Sequence, residues 1–477
     1  MNPGSLITTQ LRRKQLLFPS PAKRGKRLPR TRSGVPKADG GGFRKIALTL
    51  TLSRKRERGV TYFPFSREAG EGAEGGWGKL CKIAVTLDER FIDGTVLHMS
   101  TIGILGGGQL ARMLALAGAP LGQRFLVVDS AADACAGQVA PLLRADWRDF
   151  EALTDFARRV DVATFDFENV PAETAQWLTE HTQVFPNPKA LAIAQDRLAE
   201  KTLFREIGLD VPTFAAVDSR DDLVRAINQV GLPAVLKTRR LGYDGKGQFV
   251  LRSAGDVDAA WTALGGAPLI LEAFVAFRRE VSVIAVRSRS GEFRHYPLTQ
   301  NWHASGILSA SLAPAPDAAD LERRAVAHAR ALAERLDYVG TFALELFDRD
   351  GELLGNEIAP RVHNSGHWTI EGAVCSQFEN HLRAVLGLPL GDTSARGPSV
   401  MLNWIGTLPD AMPILRESDA HWHDYGKDPR EGRKVGHATI CARSVGELSE
   451  RLGRIAVALG REKQIEPVRV ALATQVR

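Results

Sequence analysis

From residue 99 onward the spacing of apolar and polar positions changes period repeatedly, and each change marks an expected element. TIGIL (101–105) is a short apolar run that enters Gly106-Gly107-Gly108-Gln109; Leu110, Met113, Leu114 and Ala117 then recur at helical spacing, and FLVVD (125–129) reads as a second strand. Strand, glycine turn, helix and strand form the unit of a parallel α/β sheet. DVATFDFENVP (161–171) continues that sheet and carries Asp166, Glu168 and Asn169 toward its C-terminal end, the edge at which open α/β sheets bind ligands. NPKALAIAQDRLAEKTLFREIGLDVP (187–212) is expected to be one helix to about Ile207, with Arg197 inside it, Gly208 as its stop and Pro212 beyond.

A second unit begins near Thr213. LPAVLKT (232–238) and QFVLR (248–252) read as strands flanking a glycine-rich loop, and DVDAAWTALG (256–265) as a helix. LILEAFV (269–275), REVSVIAV (279–286) and FRHYPLT (293–299) continue as strands. In DLERRAVAHARALAERLDYVG (320–340) apolar residues fall at 321, 325, 329, 332 and 336, the stripe of an amphipathic helix. TFALELFDRDGELLGNEIAP (341–360) reads as a hairpin turning at Asp350-Gly351, and the chain after 398 as short strands with one helix, 444–460.

The hairpin carries candidate chemistry. Period-2 alternation puts Phe342, Leu344 and Leu346 on one face and Glu345 on the other, opposite about Asn356 and beside Glu357. Cross-strand neighbours lie roughly 5 Å apart, so two carboxylates crowd together there, a poor arrangement unless a cation or a proton sits between them. Oxygen ligands alone suit a hard ion such as magnesium; the other reading is a pair of solvated strand carboxylates. About a hundred residues upstream, Gly242-Tyr243-Asp244-Gly245-Lys246-Gly247 follows Lys237, and such a loop can bring backbone N–H groups and ammonium charge to a triphosphate, or be only a flexible turn.

Composition changes the picture at the N-terminus. The chain is 44% hydrophobic and 25% charged, ordinary for a globular protein, but its net charge of +7 is uneven. Residues 1–98 hold 20 Lys/Arg against 8 Asp/Glu, whereas 99–477 hold 42 against 47, so the basic excess belongs to the extension. That extension, broken by Gly and Pro, is not expected to fold alone; it either binds nucleic acid or precedes the true start at Met99, and the second reading is favoured. No nucleic-acid partner is therefore expected. No stretch of eighteen apolar residues and no signal-like segment occur, so neither a membrane nor export is expected and a cytoplasmic protein is. Cys81, Cys135, Cys375 and Cys441 lie far apart and form neither a disulfide framework nor a zinc spacing.

Two other motifs admit rival readings. The glycine turn at 106–108 followed by Asp129 at the end of the second strand is the outline of a dinucleotide site, hence of a nicotinamide-dependent oxidoreductase, although the full G-x-G-x-x-G is absent. His363 and His367 are four apart, which on a helix would suit a metal, but Asn364-Ser365-Gly366 between them favours a loop rich in hydrogen-bond donors. His421 and His423 carry no assigned role.

Taken with GILGGGQLARM (103–113), GYDGKGQ (242–248), YPLTQNWHASGI (296–307), NEIAPRVHNSGHWT (356–369) and GRKVGHATI (432–440), the chain from Met99 to about 465 resembles the 5-(carboxyamino)imidazole ribonucleotide synthase family of ATP-grasp ligases. The resemblance implies an α/β and α+β protein: a Rossmann-like pre-ATP-grasp parallel sheet (99–200), an ATP-grasp domain (201–388) with a small lid (about 213–268), and a C-terminal β-rich domain (398–468). It implies ATP and Mg2+, with ATP contacted by Arg197, Lys237, Gly242, Tyr243, Asp244, Gly245, Lys246, Gly247 and Gln248. Glu272, Ala273, Phe274 and Val275 would form the adenine hinge, Glu280 would take the ribose, and His303, Asn356 and Glu357 would complete the nucleotide site. Glu345 and Glu357 would hold the metal.

The same resemblance puts Tyr243, Asp244, Arg361, His363, Asn364, Ser365, Lys427 and Arg433 around the ribonucleotide and bicarbonate, and gives Lys237, Lys246 and Arg361 the task of neutralising charge during catalysis. The reaction it implies is the carboxylation of 5-aminoimidazole ribonucleotide, by a homodimer acting on small molecules. Another ATP-grasp ligase, such as a formate-dependent glycinamide ribonucleotide transformylase, would share the nucleotide site and differ at the acceptor.

Overall fold

Apolar runs too short for helices, alternating with helical stripes, build the first sheet. In this computed structural model β1 (Thr101–Leu105), β2 (Arg124–Asp129), β3 (Leu142–Arg144), β4 (Val162–Phe165) and β5 (Gln183–Val184) are all parallel, in the order β3-β2-β1-β4-β5. Helices α1 (Gln109–Gly118), α2 (Phe150–Arg159) and α3 (Ala172–Thr179) connect them, so both faces are covered. Ile102 and Ile104 pack with Leu110 and Leu114 of α1, and Leu105 packs with Phe156 of α2. A Cβ on Gly103 would lie 2.3 Å from the Phe156 ring, so only glycine lets that helix approach. Strands β3 and β5 escape the periodicity reading because two or three residues carry no period.

The structure describes residues 99–242 and 246–474, together with a short pairing of Arg56–Glu57 with Val60–Thr61. The rest of the basic extension with Cys81, and the loop residues Tyr243, Asp244 and Gly245, lie outside the described residues.

The helix expected over 187–207 is two helices, α4 (Pro188–Ala194) and α5 (Arg197–Glu206). Asp196 breaks them: its backbone is extended and its carboxylate caps Leu198 N (3.0 Å) and Ala199 N (3.3 Å). Arg197 therefore opens α5 and does not lie inside a longer helix.

A small antiparallel sheet follows, ordered β8-β7-β9-β6, from β6 (Phe214–Val217), β7 (Ala234–Thr238), β8 (Gln248–Leu251) and β9 (Leu269–Ala273). Helices α6 (Arg220–Val230) and α7 (Val257–Leu264) back it through Leu223, Val257, Leu236 and Leu271.

The third sheet has nine antiparallel strands. These are β10 (Arg279–Arg287), β11 (Phe293–His295), β12 (Thr299–Ala304), β13 (Ile307–Ala313), β14 (Gly340–Arg349), β15 (Glu352–Ala359), β16 (Ser399–Ile405), β17 (Ala420–Asp424) and β18 (Lys434–Cys441). Their order is β15-β14-β10-β12-β13-β16-β18-β17, with β11 beside β12 on the same edge of β10. The single strand expected at 293–299 is thus two strands, divided at Pro297, which has no N–H to give a ladder.

Helix α8 (Ala319–Arg335) covers the sheet with Leu321, Ala325, Ala329 and Leu332 buried, as its stripe requires. After α9 (Thr369–Gly372) and α10 (Gln377–Leu386), strand β16 bonds to β13, so the C-terminal strands extend the central sheet. α11 (Met412–Leu415) is short, and the tail ends in two helices, α12 (Val445–Leu459) and α13 (Glu462–Ala473), not one. Pro467 inside α13 reads as a breaker in sequence, which hid that helix. Among the described residues no helix is long and apolar enough to cross a membrane.

Candidate active site

All three sheets contribute to one cleft of about 1090 Å3. Its floor at one end is the β14–β15 hairpin, which turns at Asp350 and Gly351 with φ of 52° and 93°. Glu345 pairs directly with Glu357, where the spacing had put Asn356. The reason is a bulge: Leu346 faces Gly355, so Asn356 is the extra residue and Glu357 moves up one place. Glu345 accepts from His363 Nε2 at 2.9 Å, and Glu357 from Arg197 at 2.9 Å. Burial works to raise the Glu345 carboxyl, but the charge and hydrogen bond of His363 outweigh it and bring it down to about 2. Two opposed carboxylates with Asn356 beside them are oxygen ligands of the kind that could hold a hard ion such as magnesium.

The small sheet forms the opposite wall. Lys237, Gly242, Lys246 and Gln248 line the cleft, while Gly247 closes the turn below them with φ of 70° and its carbonyl accepting from Thr238 N at 2.8 Å. A Cβ on Gly247 would lie 2.6 Å from the Thr238 hydroxyl, so the turn requires glycine. Lys237 Nζ donates to Glu272 at 3.0 Å, and the fully buried Lys201 stands 3.5 Å from the same oxygen. Burial would raise the Glu272 carboxyl; the two ammonium groups reverse that and bring it to about 2. Its Oε1 is buried and has no hydrogen-bond partner among the described residues, and Glu272 lines the cleft. Ala273, Phe274 and Val275 continue along the wall. Glu280 and His303 face each other across β10 and β12 with Nδ1 and Oε2 at 2.5 Å. Burial lowers His303, but the hydrogen bond and charge of Glu280 prevail and raise it.

At the far end the glycine turn meets the C-terminal strands. Its amides are taken: Gly107 N donates to Asp129 at 2.6 Å, and Asp166 accepts from Gly108 N at 2.6 Å and Ala111 N at 3.1 Å. The start of α1 is therefore capped by the protein's own carboxylates and does not offer those groups to a pyrophosphate. Asp129 is likewise committed, its second oxygen accepting from Ala131 N at 2.8 Å, so the dinucleotide reading fails.

Arg361 lines this end and is clamped by Glu168 through Nε and by the Val362 carbonyl through a terminal nitrogen. Glu168 sits at about 2, because the Arg361 charge outweighs the burial that would raise it. Lys427 Nζ donates to Gln109, and burial lowers its pKa. Arg433 stands beside it, with Arg430 and Lys434 as further cleft residues that the sequence reading did not single out. His363 caps the short turn Asn364–Gly366 and bridges Glu345 to Ser365.

Two residues expected to contact a ligand are engaged within the protein. Ser365 is fully buried behind the wall, with its hydroxyl against Ser282 at 2.7 Å and His363 at 2.9 Å. Asn364 touches the cleft, but its amide is locked with Asn403 at 2.7 and 3.1 Å. These bonds hold the loop in place. His367 is buried 5.0 Å from the ring of His437, and His423 stacks on His437 at 4.2 Å while pairing with Glu371. His421 lies 3.8 Å from Asp419.

Three family models match the chain in series: the ribonucleotide synthetase preATP-grasp domain over residues 99–195, the ATP-grasp domain over 202–378, and the phosphoribosylaminoimidazole carboxylase C-terminal domain over 399–451. The N5-carboxyaminoimidazole ribonucleotide synthase of Pseudomonas aeruginosa is 53% identical over 354 residues, 74% of this chain and 98% of that one. The chain belongs to the N5-carboxyaminoimidazole ribonucleotide synthase family.

A Bacillus subtilis member is 40% identical over 72% of this chain and 91% of its own. Among solved structures, the Thermus thermophilus synthetase matches with a TM-score of 0.72 at 53% identity, covering 74% of this chain and 97% of that one. The Aspergillus clavatus synthase in complex with ADP and 5-aminoimidazole ribonucleotide matches with 0.71 at 30%, covering 76% and 100%. As an N5-carboxyaminoimidazole ribonucleotide synthase the chain is an ATP-dependent ligase of purine biosynthesis with an ATP-grasp fold. Within that family the formate-using alternative has no place.

Proposed function

We propose that the cleft carboxylates 5-aminoimidazole ribonucleotide in two linked steps, ATP first activating bicarbonate. The observation that carries this reading is one continuous cleft with Glu345, Glu357, Arg197, Lys237 and Lys246 at one end and Lys427 and Arg433 at the other. The first set suits a triphosphate and the second a ribonucleotide phosphate. Adenine lies along 272–275, where Glu272 Oε1 is a buried acceptor without a partner among the described residues, and Glu280 with His303 takes the ribose.

A bicarbonate oxygen attacks the γ-phosphorus and ADP departs, giving carboxyphosphate. The exocyclic amine of the ribonucleotide then attacks the carboxyl carbon, or carbon dioxide released from it; phosphate leaves and the amine gives up a proton. Lys237, Lys246 and Arg197 hold the transferring phosphoryl oxygens, and Arg361, fixed in place by Glu168, presents its charge to the carboxylate and phosphate. Glu345 and Glu357 would hold magnesium, whose chemistry there is neutralisation of the phosphate charge. Carboxyphosphate hydrolyses quickly in water, so closure of the small sheet over the cleft protects it.

ADP release tests the reading directly. It should require bicarbonate and rise when 5-aminoimidazole ribonucleotide is added, with the carboxylated product formed in step. ADP release indifferent to both would overturn it.

A further inference from the structure

The first turn of α5 grips the bulged stretch of β15 with three side chains. Arg197 pairs with the Glu357 carboxylate at 2.9 Å, Glu200 accepts the Ile358 N–H at 2.6 Å, and Lys201 donates to the Gly355 and Asn356 carbonyls at 3.0 and 2.6 Å. This is where the ladder slips, Leu346 facing Gly355 while Glu345 faces Glu357. A bulge leaves its extra residue without ladder partners, so those carbonyls need another donor. Lys201 supplies it. Were the slip absent, Glu357 would turn to the other face of the sheet and leave Glu345, because a register change of one residue reverses every side chain.

Lys201 reaches further. Its ammonium is 3.5 Å from Glu272 Oε2, which also accepts from Lys237 at 3.0 Å. Glu272 is on β9 and Lys237 on β7, so one side chain ties the hairpin to two strands of the small sheet. Lys201 is fully buried, and an ammonium taken out of water costs several kcal/mol unless it is paired. An apolar residue would fill the same space without that cost.

We infer that Lys201 is a positioning residue for phosphoryl transfer: it fixes the bulge that sets Glu357 opposite Glu345 and, through Glu272, fixes where Lys237 stands relative to that pair. The inference rests on the reading of Glu345 and Glu357 as magnesium carboxylates.

Lys201→Met keeps the apolar stem and removes the donors. ADP release measured against magnesium at saturating ATP should show half-saturation about 10- to 100-fold higher, with a matching fall in kcat, the range seen when groups behind metal ligands are removed. The KM for 5-aminoimidazole ribonucleotide should stay within about twofold, since its phosphate lies at the other end. Lys201→Arg, which keeps the charge but not the head shape, should fall between Lys201→Met and the parent, with half-saturation at least about threefold above the parent. A lower melting temperature with unchanged half-saturation in Lys201→Met would make Lys201 merely structural and overturn the inference. Should Lys201→Met fail to fold, Lys201→Arg decides by the same readout, parental half-saturation overturning it. Divalent-independent ADP release in the parent enzyme would defeat the metal reading itself, a result distinct from any seen only in the variants.

Discussion

Glu345 and Glu357 stand directly opposite each other across the β14–β15 ladder, and each is held by a different side chain, His363 for the first and Arg197 for the second. The pair is thus oriented before any cation arrives. Such preorganisation makes the geometry of the pair costly to disturb.

Glu357→Gln should lower ADP formation by more than the roughly 10- to 100-fold expected for groups behind a ligand. Glu357 is partly exposed, with 40% of its side-chain surface open, so the melting temperature should hardly move. Unaltered phosphate release from this variant would remove Glu357 from the metal site.

Gly355→Ala tests the bulge through packing. The added Cβ would lie 2.8 Å from Phe204 Cδ2 and 2.9 Å from Leu209 Cδ2, both in the buried core. Overpacking of this kind costs about 1–3 kcal/mol. Thermal unfolding should report that loss, and a magnesium titration of ADP release should shift to higher concentration. If the melt shifts while the titration does not, the bulge and the carboxylate pair are independent.

Arg361→Ala should act on the acceptor. A charge-assisted hydrogen bond contributes about 1.5–3 kcal/mol, so apparent affinity for 5-aminoimidazole ribonucleotide or bicarbonate should fall roughly tenfold or more, with ATP binding little changed. Glu168 then loses the cation that holds it at about 2. Saturation curves for both substrates identical to the parent's would refute the assignment.

His381 gives the fold a pH dependence. Its Nδ1 accepts Thr341 N–H at 3.1 Å, so Nε2 carries the proton and donates to Thr164 at 2.8 Å, joining β4 to β14 through α10. Burial lowers its pKa from 6.5 to about 4. Between those values the unfolded chain binds a proton that the folded chain refuses. The stability is complete above about pH 6.5 and is lost as pH falls toward 4, on the order of 3 kcal/mol in all. Melting curves of the parent and of His381→Asn from pH 7.5 to 4.5 should converge as pH falls. Parallel curves would show that His381 contributes no such slope.

Much of the site was legible because its residues are near one another in sequence or stand on one periodic face. Phe342, Leu344 and Leu346 point into the core as alternation demands, which leaves Glu345 toward the cleft. Asp350-Gly351 supplies the positive φ values that a two-residue turn needs. The positions 321, 325, 329, 332 and 336 are all buried. Lys201 carried no such signal, being one charged residue in a helix of mixed charge. The burial of Ser365 was not legible either, because a small polar residue between two histidines reads the same at a surface as in an interior.

What the amino-acid order determined alone is local: the parallel unit at the start, the glycine loop between strands, the acidic hairpin and the family resemblance that these segments carry. Tertiary structure decided which carboxylate meets which, because the slip at Asn356 is stabilised by side chains of α5 more than 150 residues earlier. It also decided that the glycine turn is capped by Asp129 and Asp166 and so closed to a pyrophosphate. Periodicity records the direction in which a side chain leaves its own backbone; the partner waiting there comes from a distant part of the chain, and no spacing encodes it.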